Sequence, residues 1–278
     1  MNHRQSDSIP VSTVIPTLNA EAFLPGCLES LVRARPSEIL VIDGGSTDAT
    51  IEIASRYGTK ILRERTVGPG AARNHGVLAA TFPLVFLMDS DIIVSPGSLT
   101  SLIDEFRLGN YEAIQSRLNS ISAGSGYWGR ALAAHHHLGK ADNEWFGFSA
   151  TLAQRDLLVR HPFDGELVSG EDMELARRFA RAGIRVGVAR KTTVVHRLGD
   201  KFENARKQWL DDGRGIASVM MLEGMRSAWM AAVPAAAAVR GIALSVLRAE
   251  PQWIPYYFGL AFFNMVGIGR EVADVART

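Results

Sequence analysis

The feature that most constrains the fold is an alternation of short apolar runs and helical patterns along the first half of the chain. Uninterrupted apolar runs are typical of strands that are buried on both faces of a sheet. Between these runs, apolar residues recur every three or four positions, as in Phe23–Val32, which indicates amphipathic helices. This order predicts an α/β fold with a mainly parallel sheet that is flanked by helices. The predicted strands are Ile9–Pro16, Glu38–Ile42, Thr59–Leu62, Leu84–Met88 and Tyr111–Gln115.

The pattern is less regular after Ser116. Leu118–Gly126 is rich in serine and glycine, which predicts a mobile loop. Apolar residues on one face of Glu171–Ala182 predict a helix, and both Ile184–Val188 and Thr193–His196 have the composition of short strands. The sequence contains no internal repeat, which argues against a fibrous or solenoid protein.

The charge balance and the cysteine content argue against two classes of protein, nucleic-acid binders and disulfide-stabilised scaffolds. The 30 Lys and Arg residues nearly balance the 29 Asp and Glu residues, for a net charge of +1, whereas nucleic-acid binders usually carry a basic excess. We therefore expect no nucleic-acid partner. The single cysteine, Cys27, excludes a disulfide scaffold and fits a reducing compartment. Met1–Ser8 is polar and lacks the apolar core of a secretion signal, which predicts a cytoplasmic protein.

The C-terminal tail is apolar. Arg240 is the single charged residue of Ala228–Leu247, and Gln252–Gly269 has none. A bilayer span needs about 20 apolar residues, so both segments are near the lower limit. Two interpretations stay open: a pair of helices packed on the soluble domain, or a hairpin or interfacial pair that attaches the chain to the cytoplasmic face of a membrane. The sequence thus predicts one domain over residues 1–226 and an apolar helical tail over residues 227–278.

An acidic pair directly follows one of the predicted buried strands. Asp89-Ser90-Asp91 lies just beyond Leu84–Met88, at the carboxyl end of that strand. In open α/β sheets, ligands bind at this edge. Two carboxylates two residues apart can hold a hard divalent ion and leave positions for phosphate oxygens. The alternative is that the pair only caps the next helix.

Polar residues also follow two other predicted strands. Asp43 comes directly after the second strand and before two glycines, which let the backbone approach a ligand closely. Thr17 and Asn19 stand at the end of the first strand. Three strand ends with polar residues on one edge predict a binding crevice. In the alternative for Asp43, the carboxylate only begins a turn.

Three further residues are candidates for chemistry. Arg73 lies on the first turns of a helix that Gly68-Pro69-Gly70 opens, where an arginine pairs with a phosphate or an acidic neighbour, unless it is a surface residue. Asp172 lies at the start of an amphipathic helix, which suits either a general base or an acid that stabilises the helix dipole. His196 ends a short strand and is either a metal ligand or a structural histidine.

Taken in order, these segments resemble a family 2 glycosyltransferase of the GT-A fold. The resemblance runs from about Val11 to about Ala217. It implies a nucleotide-sugar donor, with UDP-sugars favoured, a divalent metal, Mn²⁺ or Mg²⁺, and inversion at the anomeric carbon. The matching stretches are Val14–Asn19, Glu38–Asp48, Gly68–Gly76, Leu84–Asp91, Gly170–Asp172 and His196.

The same resemblance implies that four of the candidate residues bind the nucleotide. Asp43 would meet the nucleobase, with Thr17 and Asn19 near it. Asp89 would face the ribose. Arg73 is a fifth candidate for the nucleotide, because the N-terminus of the helix on which it lies favours a phosphate.

The metal and the base follow from the resemblance too. Asp91 would bind the divalent ion, with His196 as a candidate further ligand near the diphosphate. Asp172 would be the catalytic base that takes the proton of the acceptor hydroxyl. Leu118–Gly126 would lie on the side of the acceptor, whose identity is unknown. A tail that meets a membrane would favour a lipid-linked acceptor.

Processive members of the family carry a Gln-x-x-Arg-Trp signature. Here Arg206-Lys207-Gln208-Trp209 and Arg214 depart from it, which favours the transfer of a single sugar. The competing interpretation is a membrane-tethered protein that binds nucleotide sugars without turnover. Such a protein is expected to lack the base, whereas Asp172 is present. A nicotinamide dehydrogenase is disfavoured, because no G-x-G-x-x-G motif follows a predicted strand.

Overall fold

The computed structural model describes residues 9–66, 68–138 and 146–276. These residues form strands, α-helices and two 3-10 helices, Gly224–Ala232 and Pro251–Trp253. The strands are β1 (Ile9–Thr17), β2 (Pro36–Asp43), β3 (Lys60–Arg63), β4 (Leu84–Met88), β5 (Ile92–Ile93), β6 (Ala113–Ser122), β7 (Ala150–Gln154) and β8 (Val186–Leu198). The α-helices are α1 (Leu24–Ala34), α2 (Thr50–Ser55), α3 (Pro69–Ala79), α4 (Ser98–Leu108), α5 (Tyr127–Leu138), α6 (Arg155–Arg160), α7 (Glu171–Arg181), α8 (Phe202–Glu223), α9 (Val233–Leu247) and α10 (Ile254–Val275).

The described strands belong to one sheet, in the order β3-β2-β1-β4-β7-β6-β8-β5. The strands β3, β2, β1 and β4 run parallel to one another. β7 is antiparallel to both β4 and β6, and β5 is antiparallel to β8. The predicted α/β fold is therefore confirmed, with a parallel half built from the regular first part of the chain and an antiparallel extension.

The prediction of a mobile loop over Leu118–Gly126 is wrong for its first part, because β6 continues to Ser122. The hydroxyl and the carbonyl oxygen of Ser120 lie 2.9 and 3.0 Å from ring nitrogens of His136 and His137 in α5. These contacts come from residues distant in sequence, so local composition did not show them. β8 is one strand of 13 residues where two short strands were expected.

The chain divides into two compact units. The boundary expected between residues 226 and 227 lies inside the second unit, and a separate tail domain stays a prediction. The first unit comprises Met1–Asn119, Trp145–Glu166 and Leu175–Arg197, and the second comprises Ser120–Glu144, Leu167–Glu174 and Leu198–Thr278.

The core of the first unit has two hydrophobic clusters, because successive side chains of a strand point to opposite faces of the sheet. Ile15 of β1 belongs to one cluster together with Leu28 of α1. Val14 of β1 belongs to the other cluster together with Val77 of α3. Burial of each such side chain contributes about 1.5–3 kcal/mol. Cys27 of α1 is fully buried in the first cluster, and this burial raises the pKa of its thiol.

In the second unit, α10 packs closely on α8. A Cβ added to Gly213 of α8 would clash with the backbone oxygen of Asn264 in α10. A Cβ added to Gly267 of α10 would clash with the backbone oxygen of Leu210 in α8. Glycine at both positions therefore allows the two helix backbones to touch.

The other face of the tail helices is exposed and apolar. Val239 and Leu247 of α9, and Phe258 and Phe262 of α10, are all more than half exposed. Within the described part of the chain, Ser227–Leu247 is the one helical stretch long and apolar enough to cross a membrane, with a mean hydropathy of 1.8. Only 28% of that stretch is buried. Length and composition alone are weak evidence for a span, so membrane contact stays a prediction.

Candidate active site

Polar side chains at the ends of three strands lie at one edge of the sheet. β1 lies between β2 and β4 and runs parallel to both, so the three carboxyl ends face the same side. Thr17 of β1 is paired with Asp43 of β2, and Asp89 directly follows β4. The first unit therefore brings these three predicted residues to the edge at which ligands bind in open α/β sheets.

Asp43 organises the loop that follows β2. The residue is 1% exposed. Its carboxylate accepts hydrogen bonds from the backbone N–H groups of Gly45 and Ser46, at 3.0 and 3.2 Å. Gly45 has a φ of 96°, which glycine adopts without strain. The carboxylate of Asp43 therefore begins a turn, which was one of the two interpretations of its place in the sequence. Its contact with a nucleobase stays a prediction.

Asn19 joins the loops that follow β1 and β2. Its φ of 51° lies in the left-handed region, which asparagine tolerates better than most residues. Its backbone N–H donates to the hydroxyl of Ser46, and its side-chain oxygen accepts from the N–H of Thr47, both at 2.9 Å. Thr17 is buried, and its hydroxyl donates to the carbonyl oxygen of Ile42 at 3.4 Å. Hydrogen bonds thus connect the loop after β1 with the loop after β2 at the edge of the sheet.

Arg73 is buried and paired with Asp89. It is 5% exposed, and its Nη2 donates to Oδ1 of Asp89 at 2.9 Å. The guanidinium also lies 5.5 Å from the centre of the Phe163 ring, a cation–π distance. The interpretation of Arg73 as a surface residue is therefore wrong, and its acidic neighbour is Asp89.

The environment of Asp89 raises its pKa. Burial is the largest cause, the charge of Arg73 opposes it, and the charge of Asp91 adds to it. Protein atoms surround much of the Asp89 carboxylate, but 28% of the side chain is exposed. Solvent therefore still reaches this edge of the sheet.

Asp91 and His196 lie side by side. β5 pairs with β8 so that Ile92 stands opposite His196, and Oδ2 of Asp91 lies 3.3 Å from Nε2 of His196. The other carboxylate oxygen, Oδ1 of Asp91, is buried and has no hydrogen-bond partner among the described residues. A buried carboxylate oxygen in this state is costly unless a cation or donor satisfies it. Carboxylate oxygen and imidazole nitrogen are both ligands of Mn²⁺, so this pair fits a divalent metal.

The described residues contain no group of three His, Cys, Asp or Glu side chains arranged to hold a metal ion by themselves. Mg²⁺ is commonly held by one or two carboxylates together with water and the phosphates of a substrate. Asp91 and His196 would therefore hold a metal jointly with a bound diphosphate.

Asp172 occupies the first turn of α7, in the part of α7 that belongs to the second unit. Gly170, just before it, has a φ of 87°, and a Cβ there would lie 2.7 Å from Cα of Gly215 in α8. Only glycine fits this position. Of the two acids that follow, Glu171 is buried, whereas Asp172 is only half-buried. Asp172 is thus the acid that keeps contact with solvent.

α8 carries a carboxylate that the sequence did not single out. Asp212 is exposed to solvent, yet protein atoms crowd around it. This crowding is the main reason that the pKa of Asp212 is raised to about 7, and the charges of Asp172 and Asp211 add to it. One feature of the sequence could have indicated Asp212: it directly precedes Gly213, a small residue that lets α8 pack closely on α10.

A sheet with this polar edge defines an α/β protein that binds its ligand beyond the carboxyl ends of its strands. The family model described as Glycosyl transferase family 2 matches residues 12–164, more than half of the chain, and the chain belongs to that family. The resemblance found from the motifs is therefore confirmed.

The chain is similar to two curated mycobacterial proteins. It is 38% identical over 99 residues to an uncharacterized glycosyltransferase of Mycobacterium bovis, which covers 36% of this chain and 44% of the relative. It is 28% identical over 201 residues to the pre-mycofactocin glycosyltransferase of Mycobacterium tuberculosis, which covers 67% of this chain and 42% of the relative. The matched part thus spans less than half the length of these relatives.

Solved structures show that the chain has the GT-A fold. A mannosyltransferase from Pyrobaculum calidifontis in complex with GDP-Man and Mn²⁺ matches with a TM-score of 0.69 and 17% identity, over 97% of this chain and 88% of that one. Glucosyl-3-phosphoglycerate synthase from Mycobacterium tuberculosis, in complex with Mn²⁺, UDP and phosphoglyceric acid, matches with a TM-score of 0.54 and 24% identity. That match covers 76% of this chain and 77% of the synthase chain.

Proposed function

We propose that this protein is an inverting glycosyltransferase that moves a single sugar from a nucleotide-sugar donor, a UDP-sugar, to an acceptor hydroxyl with the help of a divalent metal. The observation that carries the proposal is the Asp91–His196 pair with its buried, unsatisfied carboxylate oxygen. The pair stands at the edge of the sheet where family membership predicts the donor to bind. The complexes of the mannosyltransferase with GDP-Man and Mn²⁺, and of the synthase with Mn²⁺ and UDP, support a nucleotide-sugar donor and a divalent metal, and the synthase complex supports a uridine nucleotide.

Each side chain has a separate task in this proposal. Asp43, Thr17 and Asn19 would hold the nucleobase end of the donor, and Asp89 would face the ribose. The buried Arg73 would keep Asp89 in place through their 2.9 Å ion pair. A metal at Asp91 and His196 would supply charge stabilisation for the departing diphosphate.

Asp172 would act as the general base. The bond between the acceptor oxygen and the anomeric carbon forms as the bond from that carbon to the diphosphate breaks. The hydroxyl proton passes to the carboxylate of Asp172, and the nucleoside diphosphate leaves with the electron pair. Attack from the opposite face inverts the anomeric carbon, and no covalent intermediate with the protein is needed.

The test is the release of nucleoside diphosphate from a panel of UDP-, GDP- and dTDP-sugars, with Mn²⁺ or with EDTA. We expect slow hydrolysis without an acceptor, dependent on the metal and fastest for one UDP-sugar. Binding of a donor without release under any condition would contradict the transferase and support a protein that binds nucleotide sugars without turnover. Release at an equal rate in EDTA would contradict metal dependence while leaving the transferase intact.

We also propose that the tail over residues 227–278 rests on the cytoplasmic face of a membrane. The exposed apolar side chains of α9 and α10 support this proposal, because such surfaces are typical of interfacial helices. A membrane-bound enzyme meets lipid-linked hydroxyls at high local concentration, so the proposed acceptor is a lipid or a lipid-linked sugar.

A further inference from the structure

A cavity in the second unit is lined by residues of α5, α9 and α10. Its volume is about 300 Å³, and the polar side chains on its wall include those of His135, Arg240 and Tyr257. Pockets for small ligands have volumes of about 300–1,000 Å³, so this cavity suits a small molecule or the head group of a larger one. The proposed sugar transfer gives it no task.

Two polar side chains on the wall of the cavity lack a partner. Tyr257 is 1% exposed, yet its hydroxyl forms no hydrogen bond with any residue that the structure describes. The ring of His135 lies 5.6 Å from the ring of Tyr257, centre to centre, and it too has no hydrogen bond within the described ranges. Because a buried hydroxyl without a partner costs free energy, these groups point to a polar ligand.

Gly241 of α9 makes room for the polar end of Tyr257. A Cβ added to Gly241 would lie 1.9 Å from Cε1 of Tyr257 and 2.2 Å from Cζ, the ring carbon that bears the hydroxyl. A side chain larger than that of glycine would therefore displace the ring. Gly241 itself lines the cavity, so the hydroxyl end of Tyr257 lies at the part of the wall that α9 contributes.

The charge of the cavity comes from Arg240. This residue is exposed and forms no ion pair with a residue of the described ranges. Burial, with the charge of Arg240 added to it, lowers the pKa of His135 to about 4, so the imidazole is neutral near pH 7. No carboxylate is among the described residues that line the cavity. One guanidinium and two neutral hydrogen-bonding groups suit an anion, and arginine binds phosphate with two parallel hydrogen bonds.

Apolar residues surround Arg240 on the surface of α9. Residues three, four and seven positions apart lie beside each other on a helix. At these distances from Arg240 stand Ala243, Ala236 and Leu247, and all three are exposed. A free phosphate ion would leave this surface in water, whereas the chains of a lipid would cover it. The surroundings of Arg240 therefore favour a lipid over a free ion.

We propose that this cavity binds the phosphate group of an anionic membrane lipid. The guanidinium of Arg240 pairs with the phosphate oxygens, and the hydroxyl of Tyr257 and the imidazole of His135 supply further hydrogen bonds. The acyl chains lie along the exposed apolar side of α9. The proposal rests on the membrane contact of the tail proposed above, and it adds a defined site through which one lipid orients the second unit on the bilayer.

The first test is calorimetry of the full chain with dihexanoylphosphatidic acid below its micelle concentration. We expect Arg240→Gln to weaken binding by about tenfold or more, because hydrogen bonds to a charged group are lost. Arg270→Gln is the control, since Arg270 is exposed on α10 and does not line the cavity, and it removes the same charge without effect. No binding by the wild type, or an equal loss in both variants, overturns the proposal.

Two further ligands separate the parts of the lipid. Inorganic phosphate has no acyl chains, and dihexanoylglycerol has the same chains without a phosphate. We expect the wild type to bind dihexanoylphosphatidic acid more tightly than either. Equal affinity for inorganic phosphate would show a site for the free ion and overturn the lipid. Equal affinity for dihexanoylglycerol would show an apolar site and overturn the phosphate.

The second test fills the cavity and keeps its charge. Ala237→Leu adds a larger side chain on the wall, and Ala236→Leu adds the same volume at an exposed position outside it. We expect Ala237→Leu to bind dihexanoylphosphatidic acid more weakly than Ala236→Leu, with both variants keeping a cooperative unfolding transition. Equal affinity in the two variants overturns the cavity as the site.

Flotation with phosphatidylcholine vesicles that contain phosphatidic acid separates the site from the membrane contact. We expect the wild type to float and Arg240→Gln to float less than Arg270→Gln. Equal flotation of the wild type and Arg240→Gln would overturn the site and leave membrane contact intact. A wild type that binds dihexanoylphosphatidic acid in calorimetry but does not float would contradict the proposed membrane contact and still support the lipid-phosphate site.

Discussion

At the scale of single residues, Asp91 offers the sharpest test of the metal. We expect Asp91→Ala to remove the Mn²⁺-dependent part of UDP binding, because the variant lacks the buried carboxylate oxygen that a cation would satisfy. The loss is about tenfold or more in affinity, measured by calorimetry with UDP in the presence and absence of Mn²⁺. Asp104→Ala, at an exposed position of α4, is the matched control. Metal-dependent affinity that survives in Asp91→Ala would rule Asp91 out as a ligand.

The same scale decides which acid of the Glu171-Asp172 pair is the base. Asp172→Asn keeps the shape of the side chain and an oxygen for the N–H of Met173, which Asp172 now accepts at 2.7 Å. It removes the negative charge and the ability to accept a proton, so we expect kcat to fall by about 10²–10⁴-fold while the Kd of the donor changes little. Glu171→Gln is the control, and it costs less because the buried Glu171 does not face solvent. A near-normal kcat in Asp172→Asn would mean that the base lies elsewhere.

At the scale of elements, the contact of α8 with α10 depends on two glycines. Gly213→Ala pushes a methyl group against the backbone of Asn264, and such overpacking lowers the free energy of unfolding by about 1–3 kcal/mol. Gly269→Ala lies in α10 with open space around its new Cβ, so it isolates the effect of helix propensity. We expect it to stabilise the protein by up to about 1 kcal/mol. Urea unfolding of both variants checks the opposite signs, and equal effects would contradict the close packing.

A second prediction at this scale concerns membrane contact of the tail helix α10. Phe258 and Phe262 lie one turn apart on the exposed side of α10. If this side rests on a membrane, replacing both by serine lowers partitioning onto anionic phospholipid vesicles by about tenfold or more, because each tenfold step needs only about 1.4 kcal/mol. Leu108→Ser, on α4, is the control, since Leu108 is 86% exposed but lies in the first unit. Full-length protein that stays with the soluble fraction in flotation would disprove membrane contact.

At the scale of the whole molecule, donor and metal are expected to stabilise the fold together. A ligand that binds only the folded state, at about 100 times its Kd, adds about 2.7 kcal/mol to the free energy of unfolding. We therefore expect UDP with Mn²⁺ to raise the Tm more than the sum of the two shifts measured separately, because diphosphate and protein would share the ion. Strictly additive shifts would mean that nucleotide and metal bind independently.

At the same scale, part of the fold and part of the candidate site can be predicted from the sequence. The central strand β4 is predictable, because it is a continuous apolar run whose last four residues are buried. The antiparallel extension is not, because the pairing of Ile92 with His196 joins segments far apart in the chain. Asp43 ends β2, and Asp89 and Asp91 follow β4, so all three can be found by position. Asp212 lies inside a helix, and the charge of Asp172 acts on it because the chain folds the first turn of α7 against α8.

The reactivity of Cys27 reports how often α1 separates from the sheet. The chain has this one cysteine, and it is fully buried in α1 with its Sγ 3.9 Å from the carbonyl oxygen of Asp89. An alkylating reagent needs a solvent-exposed thiolate, so it can react only in the moments when α1 has come away from the sheet. The rate of alkylation then counts these openings directly, and a slower rate with a nucleotide bound would show that the ligand holds this helix against the end of β4.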